Sequence, residues 1–458
     1  MTTLIKNGTI VTATDMYKAD ILVKNGIVSE IGREISKIAS EIIDAADKWV
    51  LPGGVDPHTH MDSQCDGMTT VDDFETGTAA AAAGGTTTVI DYAEQAPGVS
   101  LMQTLEDWKA KAATKSIIDY GFHLALSEVN ESILAEIPAA VEAGVTSFHV
   151  SLDGYGERHI NDARLIEFLQ CTGNAGALAC LHAENGEIID LFTRRLVAEG
   201  KTAPRYITSA RPPEVEAQAA ARAISMAEMA KSPIYLTTLS SAHAVEKVKA
   251  ARDRGLTIFA ETCCHYLVMP CERYEESDGI KYYCTPPLRS AWHEGVLWKG
   301  ITGGDIHTVA SDHQAFNYAG QKDIGKDNFT LAPRGLPGIQ ERLSALCSAG
   351  VHGGKISPNR FVDLMSTTPA KLFGLFPRKG TLAVGSDADM VIFDPKAEIT
   401  LSKAIGLSRS DYTPYEGMKA RGATWQVLQR GRVIARESKV MGRPGGGEFI
   451  SRAKFSLP

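Results

Sequence analysis

The chain lacks an uncharged apolar run of the length that crosses a bilayer, and its amino terminus, MTTLIKNGTIV, has no basic stretch leading into a long apolar segment. Neither a membrane anchor nor a secretory leader is expected, and the cytoplasm is the default compartment. There is no excess of basic charge: 47 lysines and arginines stand against 55 acidic residues, for a net charge of -8 spread along the chain. That balance supports solubility and gives no footprint for nucleic acid. The eight cysteines, at positions 65, 171, 180, 263, 264, 271, 284 and 347, form no C-x-x-C pair and no zinc-finger spacing. Several sit in apolar runs, where a buried thiol is the expected state. A G-x-S-x-G elbow is absent, as is any glycine-rich phosphate or dinucleotide fingerprint, which argues against serine hydrolases and nucleotide enzymes.

What is present suits a large soluble chain. At 458 residues, with 44% hydrophobic and 22% charged residues, it is long enough for a big α/β barrel with an accessory domain, or for two to three ordinary domains. Up to about Lys48, short alternating runs are separated by Asn7-Gly8 and Asn25-Gly26, dipeptides that tolerate the positive φ of hairpin turns. The same texture returns near the carboxyl terminus, at Gly380–Phe393 and Gln426–Val433. The simplest arrangement is a small β-sandwich built from both chain ends, residues 1–52 and 379–458, around a central domain of residues 53–378.

That central region alternates. Strand-like runs at Trp49–Val55, Thr86–Tyr92, Tyr120–Leu126, Val145–Leu152, Ala177–Leu181, Ile234–Leu239, Thr257–Thr262 and Ile306–Ala310 are mostly separated by helix-like segments such as Asp72–Ala83, Leu101–Ala113, Glu131–Ala143, Ala163–Cys171, Pro213–Ala230 and Ala242–Arg254. Eight strands with intervening helices predict an α/β chain built on a (β/α)₈ TIM barrel, whose functional groups lie at the carboxyl ends of the strands. Histidine is scarce, 12 in all, yet His58 and His60 end the first run, His149 lies in the fourth, His182 follows the fifth, and Asp312 follows the eighth. Any one of these histidines alone reads most simply as surface polarity or as a hydrogen-bonded core residue. Together they are the imidazole and carboxylate donors of a catalytic divalent metal site with an open position for water.

These motifs carry a family resemblance. LPGGVDPHTHMD, DDFETGTAAAAAGGTTTVIDY, LHAENGE, ETCCHYL, YYCTPPLR, VASDHQAF, GLPGIQERL and VMGRPGGGEFISR resemble the dihydropyrimidinase and hydantoinase group of the amidohydrolase superfamily, from end to end of the chain. ETCCHYL is also similar to the related allantoinases, so the substrate ring is left open. The resemblance implies a hydrolase that opens a cyclic amide, ureide or imide with water activated by a divalent cation, most simply Zn²⁺. By the same resemblance His58, His60, His182 and Asp312 would be ligands. Asp312 would also take the proton from water and pass it to the leaving nitrogen.

Two positions depart from the family pattern. A lysine that is carbamylated and bridges two metals in most members is His149 here, in TSFHV, and a ligand histidine after the sixth strand is replaced by Thr238, in TTLSS. Neither replacement restores the usual second ion, so the expectation is one ion per chain, held by His58, His60 and Asp312 and completed by His182 or His149. Single-metal members of the superfamily use the fifth-strand histidine, which favours His182. In the substrate loops Tyr155 lies one residue beyond the place of the family's oxyanion-stabilising tyrosine. Thr285, in CTPPLR, matches a serine whose main chain holds the ring amide, and Arg334 replaces an asparagine that contacts the ring, which suggests a substrate with an acidic group or an electron-rich carbonyl array. Relatives are dimers or tetramers, which implies a homo-oligomer. The rival reading is a non-catalytic binding or assembly relative with a degraded metal site.

Overall fold

A computed structural model describes residues 2–154 and 160–457. Its centre is one eight-stranded parallel sheet whose strands are β1 (Gly54–Thr59), β2 (Thr86–Glu94), β3 (Asp119–Ala125), β4 (Ser147–Ser151), β5 (Leu178–His182), β6 (Ile234–Thr237), β7 (Ile258–Cys263) and β8 (Thr308–Ala310), in that spatial order. β8 returns to β1 through a parallel bridge from Thr59 to His313, with His60 N donating to His313 O at 2.9 Å, so the sheet closes on itself. Closure removes the exposed sheet edges and gathers the eight carboxyl ends into one mouth, as in a (β/α)₈ barrel.

Helices α1 (Phe74–Gly84), α2 (Leu101–Ala113), α3 (Glu131–Glu142), α4 (Asp162–Ala175), α5 (Gly186–Ala198), α6 (Pro213–Ala230), α7 (Ala242–Asp253) and α8 (Ala291–Gly303) surround the barrel. Their starts follow local chemistry. Asp73 caps α1 by accepting from Glu75 N and Thr76 N, and Ser100, Asn130, Asn161, Asn185 and Ser241 cap α2 to α5 and α7 in the same way. Two of the eight, α5 and α8, are not among the helix-like segments read from sequence.

The chain ends form two further sheets. One has four strands from residues 2–44, and the other has seven, in which Trp49–Pro52, Thr9–Val11 and Met16–Lys18 join Met390–Thr400, Lys419–Gln429, Arg432–Arg436 and Lys439–Val440. Ile5, Ile10, Ile21, Val23, Val50, Met390, Ile392 and Leu428 pack between them. The run Trp49–Val55, read as a single barrel strand, is therefore divided. Its first four residues pair with Met390–Phe393 in the sandwich and the barrel strand starts at Gly54; at the junction Gly53 passes so close to Thr87 that a Cβ would lie 2.0 Å from its Oγ1, a fit open to glycine. The hairpin expectation holds at Asn25-Gly26, where both residues have positive φ and Lys24 pairs with Ile27. It does not hold at Asn7-Gly8, where the chain passes from the first sheet to the second. The tail then runs along the barrel, with Ile450 N bonded to Tyr120 O and Phe455 N to Gly176 O. Among the described residues no helix is long and apolar enough to cross a membrane.

Candidate metal and active site

His58 is the penultimate residue of β1 and His60 is the first residue beyond it, so the strand alternation sends both imidazoles into the barrel mouth. Their Nε2 atoms lie 3.2 Å apart, and Asp312 Oδ1 is 3.4 Å from His58 Nε2 and 3.6 Å from His60 Nε2. Asp312 reaches them from a backbone with φ of 50°, a left-handed conformation that a non-glycine residue adopts only when its surroundings hold it. Thr238, at the end of β6, shares this feature with φ of 53°.

The support beneath the three groups is as ordered as the groups themselves. Glu261, on β7, lies 2.7 Å from His58 Nδ1 through Oε1 and takes hydrogen bonds from Tyr235 Oη at 2.7 Å and from Thr238 N at 3.2 Å. Asp91, on β2, accepts from Thr59 Oγ1 at 2.7 Å and from Met61 N at 3.0 Å, which pins the turn between the two histidines. Burial pushes both Glu261 and Asp91 up to about 8. Burial also lowers His58 to about 4, and it raises Asp312 from the usual carboxylate range. For His60, burial acts downward but is outweighed by Glu94, Asp312 and Asp91, which raise it. Its Nδ1 is buried without a hydrogen-bond partner, 3.7 Å from Glu94 Oε1.

The donor set fits a divalent cation: two imidazole nitrogens and a carboxylate oxygen lie within 4.8 Å of one another. The carboxyls Asp56, Asp91, Glu261 and Asp312 are all buried around them; the buried Arg342 guanidinium stands 3.5 Å from Asp56, and a cation at the mouth would be the counter-charge on the side of Asp312.

His149 and His182 line the same cavity, of about 370 Å³, without joining the three-residue group. His182 Nε2 is 3.0 Å from Glu184 Oε2, and its Nδ1 is 3.4 Å from Thr238 Oγ1. Burial acts to lower His182, but Glu184 and Asp153 outweigh it and raise the imidazole. His149 stands edge-on to the Tyr92 ring at 4.9 Å, and burial together with His58, His182 and His60 drives it well below the ordinary histidine value. Thr285 lines the cavity as well. Tyr155 lies outside the described residues.

Arg334 is at the rim, and its guanidinium is already engaged. Nε and Nη2 donate to the two oxygens of Asp66 at 2.8 and 2.9 Å, and Nη1 donates to Asp153 at 3.3 Å. The free acid clamp suggested by sequence is in fact a fork filled by two carboxylates, because the rim loop places Asp66 opposite it. Asp153 also meets Arg211, which pairs with Glu184, so the chain of contacts runs from the rim back to His182. A second cavity, of about 360 Å³, opens beside this network and shares Asp153, Ser151 and Arg334 with the first.

Sequence reasoning did not single out Glu261, Glu94, Asp91 or the pair Glu184 and Arg211. Acidic residues inside apolar strand runs, as in IFAETC and TTTVIDYAE, were the available signal.

Residues 49–434 match the Amidohydrolase family. The chain belongs to that family. It is 46% identical to a D-hydantoinase of Geobacillus stearothermophilus over 458 residues, covering 99% of this chain and 97% of that one. With a D-hydantoinase of Ralstonia pickettii the identity is 42%, over 99% and 100% of the two chains. The crystal structure of a dihydropyrimidinase from Brevibacillus agri NCHU1002 superposes with a TM-score of 0.98 at 43% identity, covering all of both chains. Within the amidohydrolase family the chain therefore stands in the hydantoinase and dihydropyrimidinase group, and the barrel and its β domain are those of that group.

Proposed function

We propose that this amidohydrolase hydrolyses a C–N bond of a cyclic amide, namely a hydantoin, a dihydropyrimidine or a related cyclic ureide or imide, with one divalent ion per chain, most simply Zn²⁺. The observation that carries the reading is the convergence of His58, His60 and Asp312 at the mouth of a barrel whose relatives are hydantoinases. When bound, the ion supplies the Lewis acidity that makes water a nucleophile near neutral pH.

The chain's own groups do the rest. His58, His60 and Asp312 would hold the cation, with Glu261 fixing the tautomer of His58 by accepting a hydrogen bond from its Nδ1. Asp312 accepts a proton from the attacking water and returns it to the ring nitrogen as the C–N bond breaks. The main chain at Thr285 contacts the ring amide. Tyr155 is assigned to the developing oxyanion. Arg334, with its fork filled by Asp66 and Asp153, fixes the rim loop and presents its remaining edge to the ring carbonyls. His182 would complete the ligand set on rotation away from Glu184, and His149, held well below the ordinary histidine value by burial, would be part of the wall of the same cavity. His149 and Thr238, in place of the bridging lysine and of a further histidine, leave no complete second set of the usual kind, which is why one ion is proposed. The assembly is a homodimer or homotetramer in the cytoplasm.

The test is direct. The purified chain, stripped and reloaded with Zn²⁺, Co²⁺ or Mn²⁺, is assayed on hydantoin, dihydrouracil, allantoin and succinimide. Metal-dependent ring opening that falls by about 10²- to 10⁴-fold in Asp312→Asn is the expected result. A chain that binds an ion at His58 and His60 yet opens none of these rings is a binding protein.

A further inference from the structure

Asp312 belongs to two groups of metal-ligating side chains, only one of which the proposed reaction uses. On its other side stand Cys263, the last residue of β7, and His265, in the short turn of helix that follows. One ligand atom from each of Cys263, His265 and Asp312 lies within 4.8 Å of the others. Cys263 is fully buried and His265 is 1% exposed, and the Nε2 of His265 has no hydrogen-bond partner. A buried imidazole nitrogen left unpaired is costly, and its persistence calls for a partner. Cys263 takes part in no disulfide. Asp312 lines the cavity whereas Cys263 and His265 do not, so this second group lies on the protein side of the shared carboxylate.

We propose that Cys263, His265 and Asp312 form a second, inhibitory site for a thiophilic divalent ion, filled only after the catalytic site. The proposal rests on the role given to Asp312 above. The Oδ1 of Asp312 lies 3.4 and 3.6 Å from the imidazoles of His58 and His60, and an ion held by Cys263 and His265 would draw on the same carboxylate, in competition with the proton from water. The sulfur sets the selectivity. Thiolate donors favour zinc-like ions over manganese or magnesium, and the set of His58, His60 and Asp312 contains no sulfur. Binding displaces the proton of the Cys263 thiol to solvent. Cys263 and His265 are buried behind the cavity that His58, His60 and Asp312 line, so an entering ion meets the two imidazoles first and the second site fills after them.

The experiment titrates Co²⁺ into stripped protein and follows turnover, bound metal and the thiolate-to-cobalt charge-transfer absorbance together. The first equivalent should restore activity without that absorbance. The second should bring the absorbance in and reduce turnover at least tenfold, while excess Mn²⁺ does neither. Cys263→Ser should keep the first equivalent and its activity, lose the absorbance and escape inhibition. Cys284→Ser, which alters a neighbouring buried thiol, should behave as the parent does, and His265→Asn should raise the Co²⁺ concentration for half-inhibition at least tenfold. If Cys263→Ser fails to fold, His265→Asn and the parent's absorbance still decide. The inference is overturned by charge-transfer absorbance with the first equivalent, by equal inhibition with Mn²⁺, or by inhibition that survives both Cys263→Ser and His265→Asn. Binding of one equivalent and no more overturns it as well; a protein that binds two and turns over nothing refutes the catalytic reading instead, and the cobalt absorbance then reports on the second site alone.

Discussion

His58 Nδ1 lies 2.7 Å from Glu261 Oε1, with the glutamate fully buried and the imidazole nearly so. The contact leaves Nε2 of His58 facing His60 and Asp312. It turns a strand-end histidine into an oriented ligand, since the proton on one ring nitrogen decides which nitrogen carries the free lone pair.

Replacing Glu261 with glutamine should therefore weaken ion binding without emptying the cavity. Loss of such a support lowers metal affinity by about 10- to 100-fold. Competition against a graded chelator measures it, and an unchanged affinity would show that the strand alone orients His58.

Asp312→Asn keeps the shape of the side chain, removes its capacity to take a proton and weakens it as a ligand, so parent and variant are compared at equal bound metal. Turnover should fall by about 10²- to 10⁴-fold, with secondary structure unchanged by circular dichroism. A loss smaller than tenfold would assign the proton to another group.

The rim offers a stability test. Arg334 is the counter-charge shared by Asp66 and Asp153. Burial alone would raise Asp66, and Arg334 outweighs it to hold the carboxyl below its ordinary value. Arg334→Gln should cost about 1–3 kcal/mol in denaturant unfolding, the range for losing charge-assisted hydrogen bonds. Adding Asp66→Asn should recover part of that loss, whereas strictly additive effects would mean that the pair is not coupled.

Lys322 gives a dependence on pH. It is fully buried, its Nζ donates to Tyr283 O at 2.6 Å, and burial lowers it from 10.5 to about 7. Between these values the unfolded chain binds a proton that the folded chain does not, so the contribution of Lys322 to stability rises as pH rises from about 7 to 10.5. The full effect of one proton is about 1.4 kcal/mol per pH unit. Lys322→Met removes the group, and its unfolding free energy should climb less steeply across that window. Parallel curves for parent and variant would refute the assignment.

The alternation of apolar runs with amphipathic segments was enough to read eight barrel strands, because a parallel strand buried on both faces is nearly continuous in Val, Ile and Leu. α2 and α6 occupy the stretches expected for them, Leu101–Ala113 and Pro213–Ala230. α5 and α8 were not read. α8, AWHEGVLWKGITG, carries glycines within its length and lacks a clear apolar face. Trp49–Val55 reads as one strand for a similar reason: an unbroken apolar run does not record that its first half pairs in the sandwich and its second in the barrel.

By itself the sequence determined the barrel, the pair His58 and His60 at the end of its first strand, His149 on its fourth and Thr238 at the end of its sixth. These are local facts, carried by residue type and strand period. Tertiary structure alone decided that Asp312, some 250 residues away, turns its carboxylate to both histidines, that Glu261 rather than another acid supports His58, and that Arg334 spends its fork on Asp66 and Asp153. It also placed Cys263 and His265 against the same Asp312. Such contacts are made where strands β1, β7 and β8 converge on closing the barrel, and no spacing within the chain encodes the distance between side chains that meet only there.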